Sequence, residues 1–188
     1  ENDEDMALRI KSHWSNDDAE RSLPEIASAL AFIAWRISTE RAINLHCERF
    51  VYTSDEHRLA VIQEYLVFLI QIADRLSLAR LDDEDRRTLI TGFAAKVTEH
   101  VQDNSQDLLG RGDYGRRFIV LLNQRSEEYA DFKLADDGPT YPFLRHLGFE
   151  IQQHMGDQQE NRWVIDQVMD KDGFDAYRVF AKAFQDLF

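Results

Sequence analysis

The chain is poor in the residues that punctuate a fold. It holds 3 prolines and 8 glycines in 188 residues, well under the usual share of either. Few breakers mean few turns, which argues against many short strands and for long helices. Strict apolar–polar alternation, the mark of a half-buried strand, is also missing. One cysteine, Cys47, cannot close an internal disulfide, so the chain needs no oxidising compartment. The longest nearly apolar run, Ile26 to Trp35, is about half of what spans a bilayer. No signal peptide is visible in a chain opening at Glu1, and the combined expectation is a cytoplasmic protein. Positive charge is scarce too. Lys and Arg number 22 against 35 Asp and Glu, a net charge of −13, which argues against nucleic acid and anionic membranes as partners.

What is present reads as helix. A hydrophobic content of 44% suits one globular domain with a proper core. Residues 1–21 form an acidic, partly ordered N-terminal segment, with a short helix over Met6 to Trp14, and 22–188 form the helical domain. Ser22 and Glu25 have capping-box spacing with Pro24 in the first turn, opening a helix to about Val51. Thr53 and Glu56 repeat the spacing for a helix to about Leu78. Both helices are apolar round most of their circumference, over 24–37 and 59–72. Acids 82–85 open a third helix, and Gly110 and Gly112 end it. A fourth follows with Phe118, Leu122, Arg125 and Tyr129 on one face, then a loop at Asp136-Asp137-Gly138-Pro139. Thr140 caps a helix to about Met155, Asp157 opens a short one through Val168, and Asp172 begins the last. The expected fold is all-α, a single-domain bundle of seven or eight helices around two very apolar central ones.

Chemical motifs are mostly partial. Residues 110–115, Gly-Arg-Gly-Asp-Tyr-Gly, match the glycine-rich dinucleotide fingerprint but lack the strand its physics requires. A helix-to-helix turn is the better reading. Asp170 to Gly173 resembles part of a calcium loop, but Val168 and Val179 stand where ligands belong. Glu127, Glu128 and Asp131 form an acidic cluster of the kind that holds Mg²⁺, with Glu99 and Asp103 as candidate partners on a second helix. Cys47 reads as a buried structural thiol.

The candidate metal ligands are His146, Glu150 and His154, at i, i+4 and i+8 on one helix. Two histidines eight apart lie about 12 Å apart along the axis, so one ion takes Glu150 with either histidine and not all three. Helical spacing places His154 beside the apolar face and His146 away from it. In the last helix Phe174, Tyr177, Phe180, Phe184 and Phe188 share one face. Phe180 and Tyr177 are expected in the core, and Phe184 and Phe188 are the candidate interface residues.

No complete catalytic signature occurs, so no catalytic residue and no cofactor is implied beyond a divalent metal. The functional expectation is a non-catalytic helical module working through protein contacts, its expected partners being a second copy of itself as a homodimer or another protein. The alternative is a metal-dependent enzyme or small-ligand binder with a carboxylate/histidine site in the bundle.

Overall fold

The computed structural model describes residues 21–48, 50–155 and 164–188. Helix α1 (Leu23–Cys47) and helix α2 (Asp55–Ser77) are followed by α3 (Asp83–Leu109) and α4 (Tyr114–Glu128). A two-stranded hairpin, β1 (Leu134–Ala135) and β2 (Gly138–Pro139), leads into α5 (Tyr141–Met155). A short turn α6 (Val164–Gln167) runs through a π-helical turn, Val168–Asp172, into α7 (Gly173–Leu187).

The bundle is all-α, with six long helices among the described residues instead of seven or eight. Two points account for the difference. The helix expected over Met6 to Trp14, and the start of the one expected at Asp157, lie outside the described residues. The expected break before α7 is no break, because Asp172 keeps helical angles of φ −67° and ψ −40° and caps nothing. The chain instead widens by one residue, the Gly173 N–H reaching the Val168 carbonyl. Gly173 permits this, since a Cβ there would lie 2.8 Å from that carbonyl oxygen.

Local signals decide most helix starts. At α1 the Ser22 N–H donates to the Glu25 carboxylate at 2.8 Å, the backbone half of a capping box. At α2 the cap is Ser54, one residue later than Thr53, its hydroxyl accepting from the His57 N–H at 3.2 Å. Thr53 meets the His57 ring instead. Asp82 caps α3 through the Glu84 and Asp85 N–H groups at 3.0 and 2.8 Å. Gly110, at φ 85°, ends α3, so the glycine-rich segment is a helix-to-helix turn. Helix α1 ends at Cys47, short of Val51, and Cys47 is exposed instead of buried. It stands two residues past the buried Leu45, on the opposite side of the helix.

The core forms round α2. Every residue from Glu64 to Ala73 is buried, nearly three turns with no face left to water. Helices α1, α3, α4, α5 and α7 all pack against it. One chain therefore hides the whole apolar circumference of α2. Helix α1 is different: Leu30, Ala31 and Ala34 are fully buried while Phe32 is 62% exposed. At the far side, Phe180 of α7 stacks on Phe93 of α3 at 5.9 Å.

Candidate functional site

A charged residue on a helix covered all round needs a partner inside the protein. Glu64 of α2 is such a residue, with no solvent exposure. Its partner is Arg125 of α4, which grips it side-on, Nε to Oε2 at 2.9 Å and Nη2 to Oε1 at 2.8 Å. The guanidinium also donates to two further carboxylates. Nη1 reaches Glu128 at 2.8 Å and Nη2 reaches Glu150 of α5 at 2.5 Å.

Two imidazoles of α5 complete the cluster. His146 Nε2 lies 2.9 Å from Glu128 Oε2 and 4.0 Å from Glu150 Oε1. His154 Nε2 lies 2.8 Å from Glu64 Oε1. The helix thus divides its i, i+4, i+8 triplet between two carboxylates on other helices. His146 and Glu150 come together and Glu128 joins them, one donor atom from each lying within 4.8 Å of the others. His154 goes to Glu64 instead. The order of exposure is also reversed: the His146 side chain is 19% exposed and His154 31%. Helix α4 and the turn after it cover the side of α5 that bears His146, with Tyr129 edge-on to its ring at 4.8 Å.

The electrostatics of the cluster are uneven. Three carboxylates, Glu64, Glu128 and Glu150, share one guanidinium, leaving two negative charges when both imidazoles are neutral. Burial works to raise the Glu64 carboxyl, but hydrogen bonds from His154 and Arg125 and the guanidinium charge hold it below its ordinary range. Glu128 is also held low against burial, by Gln124 and Arg125. Glu150 goes the other way. Burial raises it, and repulsion from Glu64 and Glu128 adds to burial while Arg125 opposes both. Both Glu128 and Glu150 touch Arg125, but Glu150 is less exposed and lacks the Gln124 amide. The shortage of positive charge falls on Glu150.

A further polar group is buried near the same charges. The Tyr129 side chain is fully buried, and its hydroxyl has no hydrogen-bond partner among the described residues. Burial pushes the phenol well above its ordinary range, and Glu64, Glu150 and Glu128 act on it in the same direction.

Other sequence candidates stand apart. Glu127 and Asp131 are exposed, so of that acidic cluster only Glu128 turns inward. Glu99 pairs with Lys96 on the exposed side of α3 at 2.8 Å. Residues 170–173 belong to a continuous helical stretch, which is no calcium loop. Phe184 is 1% exposed and packs in the core, while Phe188 is 41% exposed. Glu64 and Arg125 belong to no motif in the sequence. The signal the sequence carries for them is a lone carboxylate, Glu64, in the apolar stretch of α2. No family model, curated protein or solved structure matches this chain.

Proposed function

We propose that this chain is a small-ligand binder that holds a divalent cation with Glu128, His146 and Glu150. The observation that carries the reading is their convergence, three donor atoms within 4.8 Å of one another, in a cluster short of two positive charges. One divalent ion balances that deficit. One nitrogen and two carboxylate oxygens suit zinc or manganese and leave a coordination position open. The ion takes the place of the direct contact between His146 Nε2 and Glu128 Oε2. The Tyr129 hydroxyl, buried and unpartnered, supplies a donor toward whatever fills the open position. Arg125 and Glu64 hold the carboxylates in place from behind.

Calorimetric titration of chelator-treated protein with Zn²⁺ and Mn²⁺ tests this. One ion per chain is expected, with at least tenfold weaker binding in His146→Ala and Glu128→Gln and little change in His154→Ala. No binding of either ion, or binding untouched by His146→Ala, overturns it.

The second reading is the non-catalytic homodimeric module. Its support is the exposed apolar surface at Phe32 of α1 and Val120 of α4, each 62% exposed. The burial of α2 within one chain removes the other reason for a second copy. Sedimentation velocity at micromolar concentration decides: a 22.0 kDa species ends the dimer and leaves the cation site standing.

A further inference from the structure

A cleft of about 440 Å³ opens directly on His146. Its walls are Phe132, Tyr141, Pro142 and Phe149, and its charged residue is Arg145. Helix α5 supplies all of these except Phe132, which follows α4. Tyr141 is 67% exposed and Phe149 41%, so neither aromatic side chain serves the core. Arg145 is exposed and has no ion-pair partner among the described residues, whereas Arg125 of α4 is shared by three carboxylates. An unpaired guanidinium beside three aromatic walls is a place for a flat apolar body with one negative charge.

We infer that this cleft takes a small aromatic carboxylate, its ring between Phe132, Tyr141 and Phe149 and its carboxylate between Arg145 and an ion on His146. The inference rests on the cation reading above and deepens it. Charge matching argues for a monoanion. With a divalent ion the buried cluster is neutral, and Arg145 then leaves a single positive charge at the cleft. Without the ion, the negative cluster next door repels the same ligand. Ion and ligand should therefore bind cooperatively.

The test uses the full chain, first titrated with Zn²⁺ and then with phenylacetate, 3-phenylpropionate and 2-naphthoate, followed by ligand-observed NMR. Phenylacetamide serves as the neutral match. At least one carboxylate is expected to bind the zinc-loaded chain at least tenfold more tightly than phenylacetamide does. Arg145→Gln and Phe149→Ala, both at exposed positions, should weaken it at least tenfold while leaving zinc affinity unchanged. If zinc binds but none of the three carboxylates does, the ligand inference falls and the cation reading survives. Equal binding of the amide, or of the carboxylate to zinc-free chain, overturns the roles given to Arg145 and the ion. If zinc itself fails to bind, both readings fall together, and the first titration reports that separately.

Discussion

Arg125 and Glu64 meet through two parallel hydrogen bonds of 2.8 and 2.9 Å across 61 positions of sequence. This fork-to-fork pair joins α4 to the central helix and fixes where Glu128 and Glu150 stand. The side chains are 7% and 0% exposed, so the pair operates where water does little to screen it.

Removing the cation should be costly. Arg125→Met leaves the Glu64 carboxylate buried with only His154 for company, and about 3–5 kcal/mol of stability should be lost, as for other broken buried pairs. Adding Glu64→Gln to that variant should restore a large part of the loss. Urea unfolding at pH 7 measures both, and an Arg125→Met chain as stable as wild type would contradict the burial of the pair.

Glu64 and Glu150 predict opposite pH behaviour. The folded state lowers the Glu64 pKa from its ordinary 4.5. Its stabilisation is thus present above that value and lost as pH falls through the folded-state value. The folded state raises Glu150, so its ionisation weakens the fold as pH rises through the raised value. In metal-free protein Glu150→Gln should therefore stabilise at pH 7, with the gain shrinking on acidification. Unfolding curves at pH 7 and pH 4 give the sign. Zinc affinity should fall over the same descent, because protons compete with the ion for the raised Glu150 carboxylate.

Tyr129→Phe separates a packing role from a binding one. The hydroxyl has no partner in the protein, so its removal should change stability by less than about 1 kcal/mol. Zinc affinity, or ligand affinity of the zinc-loaded chain, should nonetheless drop. Unchanged values of both would detach Tyr129 from the site.

The C-terminal aromatic face should divide by burial. Phe180 stacks on Phe93 and Phe184 is buried beside Phe188, so alanine at 180 or 184 should cost about 3–5 kcal/mol. The lower melting temperature should not depend on protein concentration. Phe188 touches solvent and carries the Arg80 guanidinium over its ring at 5.8 Å, worth about 1 kcal/mol or less at such a site. Its deletion should leave the fold intact, and any change in sedimentation would assign it to an interface.

Gly138 ties the hairpin to α7. Its φ of 131° suits glycine, and a Cβ would lie 2.7 Å from the Tyr177 ring. Gly138→Ala should cost about 1–3 kcal/mol, read from thermal unfolding, and should leave zinc binding unchanged because the site lies on α4 and α5.

The sequence by itself determined the helices. Scarce proline and glycine, the Ser22–Glu25 spacing, the acids at 82–85 and the Gly110 stop act within a few residues, so local chemistry suffices for them. It also marked α2 as a helix to be buried, since an apolar run with no polar face favours the interior, but the equally apolar start of α1 leaves Phe32 62% exposed. The His146–Glu150 pair was legible for the same reason, being one helical turn apart on a single element. Only the tertiary structure decided the rest of the site. Glu128 and Glu64 join it from other helices, at 18 and 90 positions from their histidines, and no local pattern encodes which of Glu127, Glu128 and Asp131 turns inward. That choice follows from how α4 is rotated against α2 and α5, with Arg125 buried between them. The same packing sent His154 to Glu64, exposed Cys47 and continued the last helix through a π turn. Each is settled by which neighbour covers a face, and that information belongs to the assembled bundle.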